Sequence, residues 1–136
     1  MSSIKVVLDT NIIISAILFG GKPRQILQWI IQGKINAFIS PAMLTDFKEV
    51  LVRPKFCLTN EECYAIIKEI EDLFFLVFPK RRITLIKDDP DDNAILECSF
   101  TADVEYIISG DHHLLNFDSF EGVKIIPLAK SFQINL

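Results

Sequence analysis

One aspartate lies inside the apolar run KVVLDTNIIISAI at residues 5–17. Asp9 follows three aliphatic residues, and three isoleucines begin three positions after it. Burying a carboxylate costs several kcal/mol unless something compensates its charge. The sequence context of Asp9 therefore predicts a compensating partner, and a bound cation is the kind of partner a carboxylate suits.

A second acidic candidate lies in the segment SPAMLTDFKEVLV. At ~100° per residue of a helix, Asp46 lies roughly 40° outside the apolar stripe and Glu49 roughly 100° outside it. We therefore predict that Asp46 is held at the rim of the core. Glu49 is expected on the solvated face and stays open as an accessory acid.

A third group of acids opens the segment DDPDDNAILECSF. Asp92 lies beside the apolar stripe of a predicted helix over residues 92–102, so it can point inward. Asp89 and Asp91 are accessory candidates. Acidic residues also favour first turns through the helix dipole and as N-caps, which accounts for some of this group without any site.

Convergence of such acids would need a cation. Two carboxylates about 4 Å apart repel by ~4 kcal/mol at an effective dielectric of 20, and several together would destabilise the fold or become protonated. Mg²⁺ and Mn²⁺ bind hard oxygen ligands and remove this conflict. The chain lacks the Cys or His spacing of a zinc site, so we predict a magnesium or manganese site that includes Asp9.

Short apolar segments alternate with segments of helical periodicity. This alternation favours a mainly parallel sheet with helices on both faces, in one domain over residues 1–136. Thr59 and Glu62 form a capping-box pattern before one helix. The predicted strands are 4–8, 36–40, 75–78, 106–109 and 123–128, and the predicted helices are 23–34, 41–52, 60–74 and 92–102.

Topology brings two of the acids together. Ligands of parallel sheets bind outside the carboxyl ends of the strands. Asp9 lies just past the first predicted strand, and Asp111 lies just past the strand at 106–109. We expect both carboxylates at one edge of the sheet.

Composition narrows the class of protein. The chain has 136 residues and a net charge of −4, and no apolar run reaches the ~18 residues of a membrane span. Its three cysteines contain no Cys-x-x-Cys pair, which suits reduced thiols and a cytoplasmic location. Basic residues gather at 53–55 and 80–82, away from the acids in sequence.

An ordered set of motifs resembles the PIN domain. The segments EVLVRPKF, DPDDN and ISGDHHLL are similar to PIN proteins that are toxin components of toxin–antitoxin systems, the VapC-like subgroup. The resemblance implies a three-layer α/β/α sandwich and a Mg²⁺- or Mn²⁺-dependent ribonuclease. The motifs are Asp9-Thr10-Asn11, Asp46, Asp92-Asn93 and Ser109-Gly110-Asp111, in that order.

The resemblance also implies roles for individual residues. It makes Asp9, Asp46, Asp92 and Asp111 the catalytic acids, with Asp9, Asp92 and Asp111 as metal ligands and Asn11 and Ser109 as polar supports. The family usually has glutamate at position 46. The shorter Asp46 is therefore expected to act through a water, or with compensation by Glu49.

The implied reaction is hydrolysis of an RNA phosphodiester bond. Metal ions would polarise the phosphate and activate a water for in-line attack, which leaves 5′-phosphate and 3′-hydroxyl ends. Expected partners are RNA, an antitoxin protein and a second copy of the chain, and no membrane is expected. The candidates for gripping the RNA backbone are Arg53, Lys55, Arg81 and Arg82.

A second function stays open. The aspartate at position 46 is compatible with a catalytically degenerate PIN fold that binds RNA or protein. The letters DHH at 111–113 also occur in the DHH phosphoesterases, but that family needs further Asp and His motifs and a longer chain. We therefore expect His112 and His113 to be exposed side chains, and a contact of either one with substrate stays open.

Overall fold

The computed structural model describes residues 3–84 and 90–134. Strands and helices alternate along these residues, and a short 3-10 helix covers Pro54–Phe56. The strands are β1 (Ile4–Leu8), β2 (Ile35–Ile39), β3 (Phe75–Leu76), β4 (Tyr106–Ile108), β5 (Ser119–Phe120) and β6 (Val123–Ile126). The helices are α1 (Thr10–Leu18), α2 (Gly21–Ile31), α3 (Pro41–Leu51), α4 (Asn60–Leu73), α5 (Pro90–Ala102), α6 (His112–Leu115) and α7 (Leu128–Ser131).

The strands of the described residues form one sheet in the order β3-β2-β1-β4-β6-β5. Every neighbouring pair is parallel except β5 and β6, which form an antiparallel pair at one edge. Helices flank this sheet. The predicted α/β class with a central, mainly parallel sheet is confirmed.

Strand β1 lies in the middle of the sheet and is covered on both faces. Val6 and Val7 are both fully buried. Consecutive side chains of a strand point to opposite faces, so helices must cover both sides at this point. This double burial explains why the second half of β1, Val6–Leu8, is apolar at every position without alternation.

Helix α1 is absent from the sequence-based prediction, which assigned no element to residues 10–18. Its residues Ile12, Ile13 and Ile14 are all buried, so no polar face marks the helical period. Asp9 is the N-cap of this helix. The acidic residue that interrupts the apolar run thus also marks the point where the chain changes from strand to helix.

The other predicted elements agree closely in position. Helix α3 begins at Pro41 as expected, and the capping box of Thr59 and Glu62 at the start of α4 is formed on both sides. Helix α2 begins at Gly21, two residues before the predicted start, and β3 contains two residues of the predicted four.

All three cysteines are free thiols. Among the described residues, no helix has the length and apolarity needed to cross a membrane.

Candidate metal centre

The acidic site lies where the strand order of the sheet changes direction. The chain passes from β1 to β2 on one side of β1, whereas β4 lies on the other side. Leu8 of β1 pairs with Ile108 of β4, so the two strands end at the same level. The Asp9 amide donates a 2.9 Å hydrogen bond to the Ile108 carbonyl. This switch point at the carboxyl ends of the strands is the usual ligand position in such sheets.

Ser109 connects the segment after β1, which contains Asp9, to the segment after β4, which contains Asp111. Its hydroxyl donates a 2.7 Å hydrogen bond to Oδ2 of Asp9 and accepts a 3.0 Å hydrogen bond from the Asp111 amide. The other oxygen of Asp9 accepts a hydrogen bond from the Asn11 amide at 3.2 Å. Ser109 is completely buried and Asp9 is 7% exposed, so these bonds fix the orientation of the Asp9 carboxylate.

Four carboxylates from separate chain segments line one cavity of about 180 Å³. Asp9 follows β1, and Asp46 is a half-buried residue of α3. Asp92 lies in the first turn of α5 and is 4% exposed, and Asp111 is the N-cap of α6. The cavity is lined by Asp9, Thr10, Asn11, Asp46, Val50, Arg53, Asp91, Asp92, Ile95 and Asp111.

The environment disfavours the charged form of Asp9. Burial raises the pKa of its carboxyl, and the hydrogen bonds from Ser109 and Asn11 act in the opposite direction. The carboxylates of Asp111 and Asp46 raise the pKa further by repulsion. The net direction is upward, so the protein alone does not fully stabilise a negative charge at this position.

The donor set fits a hard divalent cation. The cavity presents carboxylate oxygens from several directions, which are the ligands that Mg²⁺ and Mn²⁺ prefer. Ligand atoms of Asp92, Asp111 and His113 also lie within 4.8 Å of one another. His113 was not among the metal ligands predicted from the sequence. Its position two residues after Asp111, in helix α6 that follows β4, is the signal that could have identified it.

The accessory acids occupy different places. Asp91 is exposed and lines the acidic cavity. Glu49 is exposed and is not among the residues that line this cavity, as its helical position predicts. Asp89 lies outside the described residues.

The four basic candidates divide into two pairs. Arg53 lines the acidic cavity, and Lys55 lines a neighbouring cavity that shares Asn11 with it. Arg81 and Arg82 do not line the acidic cavity. Arg81 instead forms a 2.8 Å ion pair with Glu121.

A larger open cavity of about 570 Å³ adjoins the acidic one. Asp9, Asn11 and Asp111 line both cavities, and His112 and His113 line the larger one. Both histidines are exposed, as predicted. Asp9 and Asp111 therefore lie where the two cavities adjoin, and the cavities together form one surface depression.

Comparisons with known proteins agree with this fold. A family model described as PIN domain matches residues 5–113. The chain is also 30% identical over 140 residues to Uncharacterized protein MJ1680 of Methanocaldococcus jannaschii, across 95% of this chain and 89% of that protein. The chain belongs to the PIN-domain family.

Solved structures share the fold. A chain in the crystal structure of VapBC2 from Rickettsia felis, bound to a DNA fragment from their promoter, superposes with a TM-score of 0.67. The sequence identity is 12%, and the match covers 91% of this chain and 98% of that chain. PAE2754 from Pyrobaculum aerophilum matches with a TM-score of 0.60 and 11% identity, over 96% of this chain and 88% of that chain.

Members of the PIN-domain family generally share one type of activity. PIN domains are generally nucleases, and PIN nucleases use divalent metals. The resemblance stated from the sequence motifs is therefore confirmed at the level of the family.

Proposed function

We propose that this chain is a Mg²⁺- or Mn²⁺-dependent ribonuclease that hydrolyses RNA phosphodiester bonds. The observation that carries the proposal is the convergence of Asp9, Asp46, Asp92 and Asp111 on one cavity at the switch point of the sheet. Four carboxylates from distant segments raise the free energy of the metal-free fold through repulsion. A bound divalent cation would remove this repulsion.

Asp9, Asp92 and Asp111 are the proposed metal ligands. Asp46 lies close enough to Asp9 to raise the pKa of its carboxyl, and we assign it the role of positioning the cation or a water. A bound divalent ion supplies Lewis-acid polarisation of a phosphate and a more acidic water.

The residues of the chain itself prepare this site. Ser109 fixes the Asp9 carboxylate through a buried hydrogen bond, so the ligand oxygens lose little rotational freedom when a cation binds. The Asn11 amide holds the other Asp9 oxygen, while the exposed Asn11 side chain borders three adjoining cavities. We propose that Asn11 contacts the substrate or a water beside the acids.

RNA is the proposed substrate because the depression is open and has cations along one side. Arg53 lies in the acidic cavity and Lys55 lies in the next one. Positive side chains beside a nuclease site can bind the phosphates that flank the cleaved bond. Arg82 remains a candidate for a more distant phosphate contact, whereas Arg81 is already paired with Glu121.

A toxin role in a toxin–antitoxin pair is the proposed biological setting. The VapBC2 structure from Rickettsia felis supports this setting through a shared fold. On this proposal, an antitoxin protein binds the chain and inhibits cleavage, two copies of the chain pair, and the protein acts in the cytoplasm.

A cleavage assay tests the enzymatic proposal. The wild type should cut single-stranded or structured RNA in Mg²⁺ or Mn²⁺ and lose this activity in EDTA. Asp92→Asn should lower the rate roughly a thousandfold, because several kcal/mol of transition-state stabilisation are lost with the metal site. Asp103→Asn is the matched control, since Asp103 follows the opposite end of the same helix and asparagine tolerates its positive φ.

Three outcomes are informative. Full activity in EDTA, or full activity of Asp92→Asn, would contradict the proposal. RNA binding without cleavage by the folded wild type would instead support the degenerate PIN fold. Induced expression tests the toxin setting separately: growth arrest by the wild type but not by Asp92→Asn is expected, and unaffected growth would contradict the toxin role alone.

A further inference from the structure

His113, two residues after Asp111, lies beside the candidate metal centre. His113 is the second residue of α6, and its Nδ1 lies 3.6 Å from Oδ1 of Asp111 and 4.0 Å from Oδ2 of Asp92. The side chain of His113 is 52% exposed, whereas that of Asp92 is 5% exposed. The ring therefore forms the solvent-side wall above a buried carboxylate.

The spacing of these atoms fits shared ligation better than direct hydrogen bonding. Distances of 3.6 and 4.0 Å exceed the range of N–H···O hydrogen bonds. In an octahedral site with metal–ligand distances of about 2.1 Å, adjacent ligand atoms are about 3.0 Å apart and opposite ones about 4.2 Å apart. The observed separations lie between these two values, so one cation can contact all three groups after small side-chain rotations.

Two local contacts restrict the imidazole. The His113 amide donates a 2.8 Å hydrogen bond to Oδ1 of Asp111, which fixes the backbone of His113 beside that carboxylate. The His112 ring packs on the His113 ring with a centroid distance of 4.3 Å. Both contacts limit the rotation of His113 away from the acids.

We propose that His113 is a nitrogen ligand of the divalent ion, completing a mixed site with Asp92 and Asp111. This inference rests on the proposed metal-dependent function of the acids Asp92 and Asp111. A mixed nitrogen and oxygen site binds first-row transition ions more strongly than an all-oxygen site does, because imidazole suits those ions whereas Mg²⁺ prefers oxygen. The site therefore prefers Mn²⁺ to Mg²⁺, and His113 sets that preference.

Electron paramagnetic resonance on Mn²⁺-loaded protein tests ligation directly, without measuring activity. Tag-free wild type, His113→Gln and His112→Gln are compared by electron spin-echo modulation, which detects imidazole ¹⁴N coupled to Mn²⁺. The chain has two histidines, so His112→Gln leaves His113 as the only imidazole. Nitrogen coupling is expected in the wild type and in His112→Gln and is expected to be lost in His113→Gln.

Calorimetric titration provides the second readout. His113→Gln should weaken Mn²⁺ binding at least about tenfold, a loss that even removal of an outer-sphere partner can cause. Mg²⁺ affinity should change less, so the ratio of the two affinities falls. His112→Gln should keep the wild-type ratio.

The outcomes separate this inference from the proposed function. Saturable Mn²⁺ binding without imidazole coupling in His112→Gln would overturn the ligand role of His113 and leave the metal-dependent nuclease intact. Coupling that depends on His112 instead would have the same consequence. Failure of the folded wild type to bind Mn²⁺ or Mg²⁺ would overturn both proposals.

Discussion

The acidic cavity and the basic segment Lys80–Arg82 both concentrate charge of one sign, but they differ in the side chains that surround them. The carboxylates of the cavity face one another, and Arg53 is the basic side chain among the residues that line it. Arg81, in contrast, is paired with Glu121 and stacks over the Phe100 ring at 4.5 Å.

The two regions lie at opposite ends of helix α5. Asp92 is in its first turn, whereas the Phe100 ring that Arg81 covers is near its last residue. Arg81 is therefore neutralised and packed by the protein itself, while the acids are held together against their repulsion. A charge cluster indicates a site only when the surrounding structure does not balance it, and variants at Asp9, at Ser109 and at the two arginines test that contrast.

The largest expected effect concerns Asp9 in the presence and absence of metal. The pKa of the Asp9 carboxyl in the folded protein is raised above the ordinary value of 3.8. The protonated carboxyl therefore contributes to the free energy of unfolding below the pKa of the unfolded state, and this contribution is lost as the pH rises through the folded pKa. In EDTA at neutral pH, Asp9→Asn should therefore melt at a higher temperature than the wild type, and the difference should vanish at low pH. In Mn²⁺ at a hundred times Kd, the wild type should gain about 2.7 kcal/mol and Asp9→Asn much less.

Thermal melts from pH 4 to pH 8, with EDTA or with Mn²⁺, measure this reversal. Asp103→Asn serves as the control for loss of an exposed acid from the same protein. If Asp9→Asn were less stable than the wild type in EDTA at neutral pH, the cavity would not be a repulsive cluster and the contrast with Arg81 would fail.

The next effect concerns the hydroxyl that joins the two acidic loops. Ser109→Ala should reduce Mn²⁺ affinity and kcat/KM by roughly 10- to 100-fold, because it removes a positioning partner of a metal ligand. Ser99→Ala is the matched control. Ser99 is equally buried, but its hydroxyl donates to the Ile95 carbonyl within α5.

Steady-state kinetics and calorimetry on both serine variants separate positioning from general stability. The Ser99→Ala protein should retain wild-type affinity and rate once it is folded. Equal losses in the two variants would show that a buried hydroxyl supports the domain and not the centre.

The smallest effect concerns the two arginines. In the inactive Asp92→Asn background, Arg53→Ala should reduce the steepness of log affinity for RNA against log salt concentration by about 1. This change corresponds to the loss of one phosphate contact. Arg81→Ala should leave the slope unchanged and lower the free energy of unfolding by about 1 kcal/mol, since its half-exposed ion pair and its ring contact are both modest.

Fluorescence anisotropy over a range of salt concentrations and denaturant unfolding give the two readouts. A slope change in Arg81→Ala as large as that in Arg53→Ala would support the sequence-based assignment of Arg81 to RNA binding.

Much of the acidic site follows from rules of chain geometry. Parallel strands end at a common edge, which brings Asp9 and Asp111 together without knowledge of any contact. The helical angle also separates Asp46, which lines the cavity, from Glu49, which is exposed. These predictions rest on local periodicity and strand order, and both are strong in this sequence.

Other features depend on tertiary packing that periodicity does not encode. Helix α1 is buried too completely to show an amphipathic pattern, so no element was predicted there. His113 was expected to be an exposed side chain, because its proximity to Asp92 arises only when α5 and α6 pack near each other. The Ser109 hydroxyl could be predicted as a support from the family motif, but its double bonding to the Asp9 and Asp111 loops required the structure.

The bond between Ser109 and Asp9 joins residues 100 positions apart, and this distance has a consequence for biosynthesis. Residues 1–104 can be translated while the central strand still lacks its neighbour β4, so the cavity has no second wall. Closing so long a loop is also entropically costly and comes late in folding. A growing polypeptide on the ribosome therefore has no assembled acidic cavity until most of these 136 residues have been made.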